Sequence, residues 1–291
     1  MFENFTKSHK EVNGIKINYR IGGQGKPLLL LHGYPQTHIM WRKIAPLLAK
    51  DYTVVCSDLR GYGDSDKPQS DTEHKTYSKT VMAKDQHDLM TSLGFDEYFL
   101  IGHDRGARVA HRMAIDYKES IIKLAVLDIV PTLHVFQTTE QILAKRYYHW
   151  FFLSQPYPHP ETLIGNSIEY YLKSKLAMWG NTKNFICDEA LNEYLRCFSN
   201  KETIHATCED YRAGASIDLI EHKKDFDNKI NCPLLVLWGE KGTVEELYDP
   251  INVWKNWATN VVGSSINCGH FLPEESPNET YKKIINFLRL S

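Results

Sequence analysis

The chain contains 291 residues with a formal net charge of −2, and 42% of them are hydrophobic. This composition predicts a globular protein with a substantial core, and the near-neutral charge gives no reason to expect nucleic acid as a partner. No apolar run is long enough to span a bilayer, and the polar N-terminus predicts no signal peptide. The six scattered cysteines form no Cys-x-x-Cys pair, which predicts free thiols in a reducing cytoplasm and no zinc or redox site.

Strand-like and helix-like segments alternate over the first 130 residues. Asn13-Gly14 lies between two alternating stretches and predicts a hairpin over residues 10–20. Apolar runs predict four buried strands, at residues 27–31, 53–58, 97–101 and 123–128. Helical segments are predicted between them, at residues 41–49, 78–93 and 105–117. Uninterrupted apolar strands that alternate with helices predict an α/β fold, with a mostly parallel sheet covered by helices on both faces.

The alternation stops at Pro131. From there to about residue 229 the sequence is rich in aromatic residues, histidine and charge, with helical spacing and no convincing strand. Strand-like runs resume at residues 234–238 and 261–266, and an amphipathic helix is predicted at residues 279–288. We therefore predict a core domain of residues 1–130 and 230–291, interrupted by a helical cap domain of residues 131–229.

The turn after the third apolar strand carries the sequence Gly102-His103-Asp104-Arg105-Gly106. A Gly-x-nucleophile-x-Gly turn between a strand and a helix is typical of the α/β-hydrolase fold, where serine usually occupies the central position. An ordinary aspartate has a pKa of about 3.9, so Asp104 is anionic at neutral pH without a base. A carboxylate attacks esters and amides poorly, but it can attack a saturated carbon that bears a leaving group. We predict Asp104 to be the nucleophile of a hydrolase that opens a carbon–halogen or an epoxide bond.

Further positions fit this turn in chain order. His270 follows the last predicted strand, where the nucleophile–acid–histidine order of the fold requires a histidine. Asp128 ends a strand at the carboxyl edge of the sheet, and we favour it over Glu240 as the acid that orients His270. The backbone N–H groups of Tyr34 and Arg105 are predicted to form an oxyanion hole.

Two arginines flank the predicted nucleophile. Arg105 and Arg108 are i,i+3 neighbours on the predicted helix, and Arg108 is four residues from Asp104. A tight pair between an arginine and Asp104 would blunt the nucleophile. We favour the interpretation that Arg105 and Arg108 bind a substrate carboxylate through charge-assisted hydrogen bonds, which predicts a small anionic substrate.

Seven short segments carry a likeness to one family: HGYPQT (32–37), DLRGYG (58–63), GHDRGAR (102–108), LDIVP (127–131), YHW (148–150), DYRAG (210–214) and GHF (269–271). Through them the chain resembles the haloacetate (fluoroacetate) dehalogenases of the α/β-hydrolase superfamily. The resemblance implies hydrolysis of fluoroacetate, chloroacetate or a related 2-haloacid through an aspartyl ester, by a homodimer without a cofactor. It implies the roles already given to Asp104, His270, Asp128, Arg105 and Arg108, and a halide pocket formed by His149, Trp150 and Tyr211.

The cap residues fit halide binding chemically, because imidazole N–H, indole N–H and phenol O–H groups can meet the charge on a departing halide. Without the resemblance, an aromatic core stripe of the cap is the favoured interpretation of residues 147–150.

Two alternatives remain open at this point. An epoxide hydrolase would use the same Asp104, His270 and acid, with two cap tyrosines on the epoxide oxygen, but a neutral epoxide leaves Arg105 and Arg108 without a ligand. A non-catalytic ligand-binding protein of this fold is less favoured because all three catalytic groups are present. No His-Glu-x-x-His or similar cluster predicts a metal.

Overall fold

An eight-stranded sheet forms the centre of the protein, which a computed structural model describes over residues 1–290. Its strands are β1 (Thr6–Val12), β2 (Ile15–Gly22), β3 (Lys26–Leu31), β4 (Tyr52–Ser57), β5 (Tyr98–His103), β6 (Ile121–Leu127), β7 (Leu234–Gly239) and β8 (Val261–Ile266). They lie in the order β1-β2-β4-β3-β5-β6-β7-β8. The pairs β1–β2 and β2–β4 are antiparallel, and every later pair in this order is parallel. The predicted α/β class with a mostly parallel sheet is confirmed.

Helices surround this sheet. They are α1 (Ala45–Leu48), α2 (Lys79–Ser92), α3 (Arg105–Asp116), α4 (Thr132–Gln137), α5 (Gln141–Arg146), α6 (Tyr148–Leu153), α7 (His159–Gly165), α8 (Ile168–Trp179), α9 (Asp188–Phe198), α10 (Lys201–Gly214), α11 (Ile217–Lys224), α12 (Thr243–Leu247), α13 (Pro250–Lys255), α14 (Leu272–Glu275) and α15 (Pro277–Arg289). Three short 3-10 helices cover His38–Lys43, Lys75–Tyr77 and Lys118–Ser120. No helix within residues 1–290 is long and apolar enough to cross a membrane.

The first predicted helix, at residues 41–49, is not one continuous α-helix. The chain instead makes the 3-10 helix His38–Lys43 and then the four-residue α1. Pro46 lies in the first turn of α1 and has no N–H to donate to the carbonyl of Arg42, so one continuous α-helix cannot pass through it. The predicted hairpin is also longer than expected, because β1 and β2 pair from Thr6–Ile21 to Val12–Ile15.

The central strands owe their position to apolar side chains on both faces. All four leucines of β3, Leu28 to Leu31, are fully buried, as a parallel strand covered on two sides requires. Parallel strands end at one edge of the sheet, so the loops after β3, β5, β6 and β8 meet there. These loops carry Tyr34, Asp104, Asp128 and His270.

Eight helices, α4 to α11, occupy the chain between β6 and β7 without a strand. We propose that this part of the chain is the predicted cap domain, residues 131–229, and that residues 1–130 and 230–291 form the core domain. Helix α10 belongs to the proposed cap and also contacts the proposed core, because its Asp210 accepts hydrogen bonds from Arg105 at the start of α3.

Candidate active site

A sharp turn between β5 and α3 carries Asp104. The residue has φ +47° and ψ −117°, a conformation that costs a non-glycine residue free energy and is common at functional sites. Its glycine neighbours permit the turn, since a Cβ on Gly102 would lie 2.5 Å from the Cα of Ala107, and one on Gly106 would lie 2.3 Å from the carbonyl of His32. The turn therefore holds the Asp104 side chain at the carboxyl edge of the sheet.

The two oxygens of Asp104 face different neighbours. Its Oδ1 accepts a hydrogen bond from the backbone N–H of Tyr34 at 2.9 Å, and its Oδ2 lies 3.9 Å from His270 Nε2. Burial raises the pKa of Asp104, but the charge of His270 and those of Arg105 and Arg108 outweigh burial and lower it. The carboxylate is thus anionic at neutral pH without help from a base.

Asp128, rather than Glu240, lies beside His270. The Nδ1 of His270 is 2.5 Å from Asp128 Oδ2, and the other oxygen of Asp128 accepts the N–H of Gly239 at 2.9 Å. Glu240 is exposed, its N–H donates to the carbonyl of Ile266 at 2.8 Å, and its side chain makes no hydrogen bond within residues 1–290. This arrangement fixes the ring of His270 with Nε2 towards Asp104.

The surroundings of His270 favour its charged form. Burial lowers the pKa of His270, but the hydrogen bond and charge of Asp128, and then the charges of Asp104 and Glu275, outweigh burial and raise it. His103 behaves in the opposite way, because burial and the nearby His270 lower its pKa to about 3. Neutral His103 donates from Nε2 to the carbonyl oxygen of His270 at 2.8 Å, and this hydrogen bond stabilises the loop after β8.

The two arginines have unequal partners. Arg105 donates from Nε and Nη2 to the carboxylate of Asp210 at 2.9 and 2.7 Å, and its buried Nη1 has no partner within residues 1–290. Arg108 donates from Nη1 to the carbonyl of Val130 at 3.0 Å and to Thr132 Oγ1 at 2.9 Å, and its Nε is buried without a partner. Within residues 1–290 no carboxylate forms an ion pair with Arg108.

Buried charges surround Asp210. Besides Arg105, its carboxylate accepts hydrogen bonds from Lys79 and from the Tyr62 hydroxyl, the latter at 2.7 Å. Lys79 also lies 3.4 Å from the carboxylate of Asp218. The charge of Arg105 is therefore balanced by a direct ion pair, whereas Arg108 forms no ion pair within residues 1–290.

Three cap residues pack over the arginines. The Tyr211 ring centroid lies 5.7 Å from that of His149 and 6.1 Å from that of Trp150. Arg105 Cζ is 4.2 Å from the Tyr211 centroid, and Arg108 Cζ is 4.5 Å from the Trp150 centroid, as in cation–π contacts. Within the described part of the chain, the Tyr211 hydroxyl and His149 Nδ1 are buried without a partner, so each has an unused capacity for a hydrogen bond.

A cavity of about 180 Å³ lies between the cap and the nucleophile turn. Its wall contains six of the residues singled out in the sequence: Asp104, Arg108, Asp128, His149, Trp150 and His270. Arg105 and Tyr211 are not in this wall but pack directly behind it. Pockets for drug-sized ligands measure about 300–1,000 Å³, so this cavity suits a molecule of few heavy atoms.

Several residues of the site carry no motif in the sequence. Trp179, at the end of α8, lines the cavity, with its ring centroid 4.5 Å from that of His149 and 5.8 Å from that of His270. Lys175, one turn earlier, is buried against aromatic rings, and burial lowers its pKa to about 8. Burial and the charge of Lys175 keep the pKa of His149 well below its ordinary value, so His149 is neutral.

Within residues 1–290 no group of three or more His, Cys, Asp or Glu side chains could hold a metal ion.

The sheet order, the aspartate turn and the Asp–His pair together define an α/β-hydrolase. The family model for the alpha/beta hydrolase fold matches residues 26–277, and the chain belongs to this family. The resemblance to haloacetate dehalogenases is also confirmed, since the chain is 43% identical to a fluoroacetate dehalogenase of Burkholderia sp. over 99% of this chain and 95% of that protein.

Two further relatives extend the comparison. A soluble epoxide hydrolase of Corynebacterium sp. (strain C12) is 33% identical over 99% of this chain and 98% of that protein. A solved structure from Nostoc sp PCC 7120 is 55% identical and superposes with a TM-score of 0.99 over 100% of both chains.

Proposed function

We propose that this hydrolase removes the halogen from small 2-haloacids, such as fluoroacetate or chloroacetate, through an ester formed on Asp104. The proposal rests on one observation above all: an anionic Asp104 and an Arg108 that forms no ion pair within residues 1–290 lie in the wall of one small cavity. A carboxylate nucleophile calls for a leaving group on saturated carbon, and an unbalanced guanidinium favours a substrate that carries a carboxylate.

In the first step of the proposed reaction, Oδ2 of Asp104 attacks the halogen-bearing carbon. The carbon–halogen bond breaks, the halide leaves with the bonding electrons, and an ester joins Asp104 to the substrate carbon. The Tyr34 N–H already holds Oδ1, which leaves Oδ2 free for the attack. Arg108 would bind the substrate carboxylate. The Nη1 of Arg105, which lies behind the cavity wall, would be a second donor.

The departing halide would be met by His149, Trp150 and Tyr211. Fluoride leaves slowly unless hydrogen bonds stabilise its charge in a site that excludes water. The Tyr211 hydroxyl supports this role, because it is 2% exposed at the residue level and makes no hydrogen bond within residues 1–290.

In the second step, water attacks the ester carbonyl of Asp104 while His270 takes a proton from it. Esterification removes the charge of Asp104, which is one of the charges that raise the pKa of His270. His270 therefore becomes easier to deprotonate when a base is needed. The tetrahedral oxyanion would be held by the N–H groups of Tyr34 and Arg105, since Arg105 is the first residue of α3 and its N–H has no partner within the helix. The oxyanion then collapses, the bond between the carbonyl carbon of Asp104 and the ester oxygen breaks, and His270 returns the proton to the leaving oxygen. The product from a haloacetate is glycolate, and the reaction as written needs no cofactor.

A halide-release assay tests the function. The protein is expected to release halide from fluoroacetate, chloroacetate and bromoacetate, and to open a small neutral epoxide poorly because an epoxide leaves Arg108 unpaired. Asp104→Asn is the control, since an amide cannot form the ester, and it should release no halide. Faster turnover of the epoxide than of every haloacetate would instead establish an epoxide hydrolase, for which the free Tyr211 hydroxyl would serve as the ring-opening donor.

Tyr211→Phe separates halide stabilisation from packing. The change removes one hydroxyl and keeps the ring, and it is expected to cost on the order of 2–4 kcal/mol with fluoroacetate but much less with bromoacetate. The reason is that cleavage of a carbon–fluorine bond depends more on hydrogen bonds to the leaving ion than cleavage of a carbon–bromine bond does. Tyr171→Phe is the matched control, because the Tyr171 hydroxyl already bonds to Tyr34 at 3.1 Å, and it should affect both substrates alike. Equal losses for the two substrates in Tyr211→Phe would mean a packing role.

We also propose a cytoplasmic location and a homodimeric assembly. The location is supported by six cysteines that all carry free thiols, and the assembly by the resemblance to haloacetate dehalogenases.

A further inference from the structure

Glu275 accepts hydrogen bonds from four backbone N–H groups. Its Oε2 accepts from Asn181 at 2.7 Å, from Thr182 at 2.9 Å and from Gly269 at 3.1 Å, and its Oε1 accepts from Phe271 at 2.9 Å. The donors belong to two separate segments of the chain, one in the cap and one in the loop after β8. One carboxylate thus joins the two segments.

Each segment adjoins a residue of the cavity wall, His270 in one case and Trp179 in the other. Gly269 and Phe271 are the immediate neighbours of His270, so Glu275 fixes the backbone on each side of that residue. The other segment directly follows Trp179, whose carbonyl accepts the N–H of His270 at 2.9 Å. A Cβ on Gly269 would lie 2.6 Å from the same carbonyl, so the two segments touch and only glycine fits between them.

The carboxylate is suited to this task for a physical reason. Four N–H donors converge on two oxygens, and hydrogen bonds to an ionised acceptor are about twice as strong as neutral ones. A glutamine would turn an NH₂ group towards backbone donors and would lose at least one of the two oxygen positions. The neighbouring Glu274 cannot take over, because it is buried in a separate network with Arg42 and Gln36.

We propose that Glu275 is a positioning residue, which holds His270 in register with the ester on Asp104 and holds Trp179 in the cavity wall. This role rests on the proposed function, because it concerns the step that His270 performs. Loss of Glu275 would free the His270 loop from the cap, and a misplacement of about 1 Å in a reacting group costs on the order of 10²-fold in rate. Ester formation at Asp104 uses no base and would be affected less.

Glu275→Gln, compared with Glu279→Gln in rapid-quench experiments with chloroacetate, tests the proposal. Glu279 lies four residues further on, is half exposed and pairs with Lys283 at 3.8 Å, so it is a matched control. In Glu275→Gln, hydrolysis of the ester should slow by roughly 10- to 100-fold while first-turnover chloride release stays near wild type, so that ester accumulates. Glu279→Gln should behave like wild type. An equal slowing of both steps would reduce Glu275 to a structural residue and overturn the proposal.

A second measurement does not depend on turnover. The imidazole of His270, assigned by comparison with His270→Asn, can be titrated by NMR. Other titratable groups that face it are Asp128, Asp104, His103 and, across the cavity, His149. Removal of the negative charge in Glu275→Gln should lower the pKa of His270 relative to Glu279→Gln. This readout remains if the wild type releases no halide, in which case the proposed function fails and Glu275 is judged by the titration alone.

Glu275→Asp covers the case in which Glu275→Gln does not fold. It keeps the charge but is one methylene shorter, so it should keep the raised pKa of His270 and still accumulate ester. An unchanged ratio of the two steps, together with an unchanged titration of His270 in every folded variant of Glu275, would overturn the proposal.

Discussion

Arg108→Leu is expected to lower kcat/KM for fluoroacetate by roughly 10²- to 10³-fold, which corresponds to about 3–4 kcal/mol. Arg108 is buried in the cavity wall, forms no ion pair within residues 1–290, and is held in place by Val130 and Thr132. Burial and then the charge of Arg105 lower the pKa of Arg108 to about 10, so it is still a cation at neutral pH. Its removal leaves the carboxylate of the substrate buried without a counter-ion. Steady-state kinetics on haloacetates measure the loss.

Two comparisons separate the role of this charge from an effect on folding. Arg112, one turn further along α3, pairs with Asp225 at 2.6 Å and also with Asp116, away from the cavity. Arg112→Leu is therefore a matched variant on the same helix, and it should not change the preference for anionic substrates. Haloacetamide has no charge, so it should be a poor substrate for the wild type and should lose little more in Arg108→Leu. Equal rates with haloacetate and haloacetamide in the wild type would contradict a carboxylate site at Arg108.

His270→Asn is expected to stop turnover after one equivalent of halide. The first step needs no base because Asp104 is already ionised, whereas ester hydrolysis loses its base and should fall by roughly 10²- to 10⁴-fold. A burst of halide equal to the enzyme concentration, followed by almost no release, is the expected time course. Asp104→Asn should show no burst, and continued turnover in His270→Asn would remove His270 from the second step.

The opposite pKa shifts of Asp104 and His270 determine the direction of the pH dependence in the wild type. The pKa of Asp104 is lowered, so ester formation persists as the pH falls, whereas His270 must be neutral to accept a proton and its pKa is raised. Ester hydrolysis should therefore weaken first on acidification, as the pH drops through the pKa that His270 has in the ester state.

Much of the fold could be predicted from local patterns. Buried parallel strands are apolar along their whole length, and this is visible in residues 28–31 as an unbroken run of leucine. The first helix could not be predicted correctly from its apolar spacing, because Pro46 interrupts the hydrogen bonds that a longer helix would need. Elements with one strong local signal were thus easier to predict than elements in which two signals conflict.

For the site, the positions of the residues could be predicted better than their hydrogen-bond and ion-pair partners. Asp104, Asp128 and His270 each follow a strand, and the ends of parallel strands meet at one edge. By contrast, the bond between Arg105 and Asp210 joins residues 105 positions apart, and no local pattern indicates it. The sequence therefore suggested an equal pair of arginines, whereas the structure balances one of them internally. The role of Glu275 could not be predicted either, because two of its four donors lie in the cap, far from Glu275 in the sequence.

The mass of the tryptic peptide that contains Asp104, taken from His270→Asn after incubation with fluoroacetate, tests the central claim most directly. A covalent aspartyl ester adds one carboxymethyl group to this peptide, and the adduct should map to Asp104 itself and be absent from Asp104→Asn. An unmodified peptide in a variant that has nevertheless released fluoride would contradict the claim, because water would then attack the substrate without any bond to Asp104.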